Sequence, residues 1–251
     1  MNPTRRQLLG GLAALGLVAP RRGLSFSAAS RVDIAELDLG KGTLSRPSAW
    51  RTLLSEMVRS TSVECEPRSV RVKADDPELF EHPFCVLVGD SAFAMPEDAA
   101  LEQLVQYLSY GGFMVIDDAS GGTEPGFDRS VRDLVGRLFP TRSLAALPSD
   151  HSVNRAFFLL RSAAARVNTA RWLEGVTVGA LSPLVYVRND LSGALERTEG
   201  GAWSRACVPG GESQRKEAVK LGVNLMMYSL TANYKNDQAH IKQLMLERRL
   251  E

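Results

Sequence analysis

The chain has 251 residues, 44% of them hydrophobic and 24% charged, with a net charge of +1. That balance suits one sizeable globular domain and shows none of the basic clustering that nucleic-acid binding requires. Three cysteines, Cys65, Cys85 and Cys207, lack metal-ligand spacing, and an odd number leaves at least one thiol unpaired even if one disulfide forms.

The first residues carry an address. Arg5 and Arg6 precede a modest apolar run from Leu8 to Ala19, and no acidic residue occurs before Ser30. This is the pattern of twin-arginine export. The apolar run is shorter than the roughly 20 residues a bilayer span needs, and Arg21 and Arg22 follow it directly. Ser27-Ala28-Ala29 supplies small residues for cleavage, so residues 1–29 are expected to be a signal peptide. The expected location is periplasmic or otherwise exported, with membrane contact only through this signal. Residues 1–29 hold four arginines and no acid, so their removal turns the net charge from +1 to −3.

From Val32 to Leu39 apolar and acidic residues alternate, which predicts a strand. Ser45 and Pro47 open a helix whose Trp50, Leu53, Leu54, Met57 and Val58 fall at the spacing of one buried face. A short strand follows around Val70 and Val72, then a helical turn over Asp76–Phe80. The continuous apolar run Phe84–Val88 ending at Gly89 reads as a buried parallel strand. A helix over Pro96–Tyr110 is expected to turn Leu101, Leu104, Val105 and Leu108 inward, with Gly111-Gly112 as its stop. Phe113–Ile116 is the next buried strand. Val131, Leu134, Val135 and Leu138 mark a helix ending at Pro140, Val176–Val178 and Leu184–Val187 read as strands, and a helix from about Glu217 to Leu230 closes the core. The alternation predicts an α/β fold with a doubly wound, mainly parallel sheet over residues 30–232. Residues 233–251 read as a tail, helical from His240 to Leu250, that serves as an arm or partner contact.

Three apolar strands end in polar clusters: Gly89-Asp90-Ser91, Asp117-Asp118, and Asn189-Asp190. In open α/β sheets ligands bind beyond the carboxyl ends of the strands, so these seven residues are the candidate ligand-binding set. Acids directly after a buried strand must be paired, protonated or metal-bound. Two roles are open for them: an acid/base, ligand or divalent-cation site, or capping of the following helices. No cofactor is predicted, though the acids leave room for a divalent metal. His151, which follows Asp150 in a loop, reads first as a structural loop histidine, with a role beside Asp117 and Asp118 in divalent-cation binding or acid/base chemistry as the functional alternative. Ser91 sits in Gly89-Asp90-Ser91-Ala92-Phe93, a loose version of a nucleophile elbow in which Phe93 replaces the final glycine. The catalytic candidates are therefore Asp118, His151 and Ser91. Trp203, among glycines, is a candidate aromatic for a sugar or partner.

The segments Pro83–Asp90, Gly111–Asp118, Pro148-Ser149-Asp150-His151, Asn189-Asp190 and Leu221–Leu225 resemble the bacterial domain-of-unknown-function family 4159. That resemblance implies a flavodoxin-like sheet similar to class I glutamine amidotransferases. It also implies von Willebrand-type and MoxR-type ATPase proteins as neighbours in the cell envelope. In amidotransferases the strand at the position of Val115-Ile116 ends in a turn bearing a cysteine nucleophile. Here the turn reads Asp117-Asp118-Ala119-Ser120-Gly121, and Cys85 lies inside the preceding strand. Glutaminase chemistry is therefore not expected. The leading expectation is an exported, non-catalytic amidotransferase-like domain that binds a ligand or protein partner. The alternative is a periplasmic hydrolase, metal-assisted or not, built on Asp117, Asp118 and His151 and acting on carbohydrate or cell-envelope material.

Overall fold

The computed structural model of the chain describes residues 31–247, with side chains described over 31–231. The signal peptide expected over residues 1–29 lies outside the described residues. Eight strands and five helices follow one another as β1 (Val32–Asp38), β2 (Thr43–Leu44), α1 (Pro47–Ser60), β3 (Cys65–Lys73), β4 (Phe84–Gly89), α2 (Asp98–Ser109), β5 (Phe113–Asp118), α3 (Pro125–Leu138), β6 (Ala145–Ala146), β7 (Glu174–Val178), β8 (Leu181–Val187), α4 (Leu191–Leu195) and α5 (Gly211–Glu247). Single 3-10 turns cover Pro77–Glu81 and Ser152–Arg155.

The strands form one sheet in the order β3-β1-β4-β5-β8-β7-β6, with β2 on the end of β4. β3, β1, β4, β5 and β8 are parallel, while β6 and β7 add an antiparallel edge. Taken in chain order, the parallel strands lie 2-1-3-4-5, the flavodoxin-like order, with its switch point between β1 and β4.

Alternation along each central strand divides the core in two. Phe84, Val86, Val88, Val115, Val185 and Val187 pack with α1, α4 and α5, including Trp50, Leu53 and Leu221. Cys85, Leu87, Met114, Ile116, Leu184 and Tyr186 pack with α2 and α3, including Leu104, Phe127 and Leu134. Helices therefore cover both faces. This explains the unbroken apolar runs of β4 and β5, which have no solvent side.

Two helix faces are narrower than the spacing predicts. Val58 is 55% exposed and Val105 38% exposed, so the buried stripes end at Met57 on α1 and at Leu101, Leu104 and Leu108 on α2. The closing helix is also longer than expected. α5 runs unbroken through residues 233–247 of the segment expected to be a tail, and its 37 residues reach about 55 Å. Among its described side chains, Gln214 meets Arg166 near the end of β8 and Tyr228 meets Ser182 at the start of β8. The helix thus runs antiparallel to the parallel strands.

Candidate functional site

The acids that end β5 are neighbours in sequence and lie on opposite faces of the sheet. Asp117 follows the parity of Val115 and turns toward α4, where its carboxylate accepts the backbone N–H of Leu191 at 2.7 Å and of Ser192 at 2.8 Å. Asp118 follows the parity of Ile116. One of its oxygens accepts the backbone N–H of Ser120 at 3.0 Å and the Ser120 hydroxyl at 2.5 Å, and the other accepts the Tyr186 hydroxyl at 3.3 Å. Both are fully buried. Burial raises both carboxyls above the usual range, and at Asp117 the nearby Asp190 adds to it. The two carboxylates do not share one cleft.

The Asn189-Asp190 pair is equally occupied. The Asn189 amide oxygen accepts the backbone N–H groups of Thr169 and Ala170 and the Thr169 hydroxyl, at 2.9–3.0 Å. Its amide nitrogen donates to the carbonyls of Ala163 and Ala170. All the capacity of this buried side chain is thus spent on pinning the loop over residues 163–170. Asp190 has φ 56°, a left-handed conformation that aspartate tolerates better than most residues. Its carboxylate accepts from Gly193 N at 2.8 Å and from Arg46 at 3.1 Å, and it pairs with Arg166. Arg46 and Arg166 are essential to this site and carry no local sequence signal, since Arg46 lies 144 positions from its partner.

At the end of β4 the polar residues face outward. Gly89 is required by packing, because a Cβ there would stand 2.2 Å from the Phe127 ring and 2.6 Å from the Gly42 carbonyl. Asp90 and Ser91 are exposed, and the Ser91 hydroxyl meets only the Asp90 carboxylate, at 3.2 Å. No base stands beside it in the contacts of the described residues.

His151 lies at the other end of the sheet. Its Nε2 meets the Ser182 hydroxyl at 3.1 Å, where β8 begins, while Asp117 is aligned with Val187, where β8 ends. Five residues of strand separate those positions by about 16 Å. His151 Nδ1 accepts the backbone N–H of Val153, so Nε2 carries the proton and donates to Ser182. Burial holds this imidazole below its usual pKa. A neutral ring with its proton facing the serine does not serve as a base toward it.

A family model described as a domain of unknown function (DUF4159) matches residues 33–230. The chain belongs to this family. No curated protein matches the chain. The DUF4159 match begins inside β1 and ends inside α5, so it takes in the sheet from the second residue of β1, α1 to α4 and the first part of α5.

Within this DUF4159 domain Cys65, Cys85 and Cys207 are unpaired. Burial pushes the Cys85 thiol up to about 12 and the Cys65 thiol up to about 11, and raises Cys207 as well. These thiols are the reverse of activated nucleophiles. Trp203 carries two guanidinium groups on its ring, Arg197 at 3.6 Å and Arg215 at 4.4 Å from the centroid. It packs the loop after α4 and is not an open aromatic platform. Among the described residues no cluster of His, Cys, Asp and Glu has metal-binding geometry.

Proposed function

We propose that the chain is an exported, non-catalytic binding domain with an amidotransferase-like sheet. The observation that carries this reading is the inward use of the strand-end residues. Asp117, Asp118, Asn189 and Asp190 hold neighbouring backbone, hydroxyl or guanidinium groups, which leaves them committed to the loops they support. Catalytic groups need the opposite arrangement, a nucleophile and a base within hydrogen-bond reach of each other and of a reacting atom. The separation of His151 from Asp117 and Asp118 weighs against the hydrolase alternative in the same way. The twin-arginine pattern supports export, and the ligand or protein partner would then be met in the cell envelope.

The test is an assay of the full chain against chromogenic esters and glycosides, beside Asp118→Asn, His151→Ala and Ser91→Ala. The expected result is no turnover that depends on any of these residues. Turnover that is lost in one of the variants while the fold is retained would overturn the proposal.

A further inference from the structure

A cavity lies at the amino ends of β5 and β8, away from the strand-end acids. It has a volume of about 430 Å³ and opens between the C-terminal ends of α2 and α3. That falls within the range of small-molecule sites, about 300–1,000 Å³. Leu108, Phe113, Leu138, Phe139 and Val178 give it apolar walls, and Arg142 is its sole ionisable lining residue. The Arg142 guanidinium is oriented by one bond, Nη1 donating to the Thr177 carbonyl at 2.8 Å, and forms no ion pair among the described residues. Ser182, also in the lining, is fixed from behind by His151 Nε2 and by the Thr177 hydroxyl at 3.2 Å. The rim is sticky as well: Val105 and Val178 are partly exposed there.

Resting on the binding reading above, we propose that this cavity binds a small amphiphile with an apolar body and a single carboxylate, of the medium-chain fatty-acid kind. The apolar walls take the chain. The Arg142 guanidinium, without an ion pair among the described residues, takes the carboxylate, whose planar geometry matches its fork of donors. At the ~30 Å³ that a water-sized group occupies, the cavity holds on the order of a dozen ligand atoms. The helix ends work against an anion, since the C-termini of α2 and α3 carry partial negative charge. Direct contact with Arg142 has to outweigh them, and ligands of differing charge test whether it does.

The experiment is calorimetric titration of the full chain with decanoate, decanol and decylammonium, each below its micelle concentration. Two variants accompany it, Val178→Trp to fill the cavity mouth and Arg142→Gln to remove the charge. Both sites lie at an exposed rim, and circular dichroism melts confirm that each variant folds. The expected order is decanoate tightest and decylammonium weakest. Val178→Trp should abolish binding of all three. Arg142→Gln should weaken decanoate about tenfold or more, the loss of one charge-assisted hydrogen bond, and leave decanol unchanged. No decanoate binding to the parent, decylammonium binding tightest, or decanoate affinity unchanged in either variant would overturn the assignment. Its failure leaves the non-catalytic reading standing, because that reading is decided by the turnover assay.

Discussion

Asp117 and Asp118 stand on opposite faces of the sheet, the first capping α4 and the second holding the Ser120 turn and the Tyr186 hydroxyl. A strand alternates its side chains, so consecutive acids inside β5 cannot act on one substrate from one side. Each carboxylate instead satisfies donors that would be buried without partners. The doublet is thus two anchors, one for each layer of helices.

The close approach of β4 to α3 depends on Gly89. Gly89→Ala puts a methyl group against the Phe127 ring and the Gly42 carbonyl, and the carbonyl is backbone that cannot turn aside. The expected loss is about 1–3 kcal/mol or more, as for other overpacked cores. Trimming the ring with Phe127→Leu should restore only part of it, because the clash with Gly42 remains. Urea unfolding of the single and double variants measures both effects.

Most of the architecture was legible in the sequence because its signals are local. The apolar runs of β4 and β5 and the periodic faces of α1, α2 and α3 announced a covered parallel sheet. What escaped was set by partners far along the chain. Nothing in the spacing near Val58 or Val105 says that these two positions are exposed. The two-residue strands β2 and β6 have no pattern of their own and exist because a neighbour offers free backbone groups. The strand-end residues were all visible, but their roles were decided by Arg46, Arg166 and Tyr186, which no spacing rule links to them. The alternation that separates Asp117 from Asp118 was present in the residue numbers themselves, provided β5 is extended through both.

The two histidines with described side chains should titrate in opposite directions. His82 Nδ1 lies 2.8 Å from Asp33, and that partner raises its pKa, whereas burial lowers that of His151. A free imidazole titrates near 6.5. Proton NMR should place His82 above that value and His151 below it, and Asp33→Asn should bring His82 down. The stabilities follow by linkage. The contribution of His82 is complete below about 6.5 and fades as pH rises through its folded pKa. That of His151 is complete above about 6.5 and fades as pH falls through its folded pKa.

Asp190 combines a left-handed backbone with buried ion pairs to Arg46 and Arg166. Asp190→Ala should cost about 3–5 kcal/mol, since it takes the nearest carboxylate from the buried Arg46 and the partly buried Arg166. Asp190→Asn keeps an oxygen acceptor and a residue type that tolerates φ 56°, so it should be the milder change. Denaturant midpoints of the two variants give the ranking directly.

Cys85 and Cys65 should resist alkylation in the folded chain at neutral pH, because burial holds both as thiols. Mass spectrometry after brief iodoacetamide treatment should find both unmodified, and both should react once urea unfolds the chain.

The most direct test of the central claim is the stability of Asp117→Asn. If Asp117 is an anchor, the variant loses one of two buried backbone hydrogen bonds and sets an amide NH₂ against an N–H, which should cost about 1–3 kcal/mol in urea unfolding. Residues kept for chemistry behave otherwise, since replacing them tends to leave stability unchanged or raise it. A variant as stable as the parent, or more so, would contradict the account.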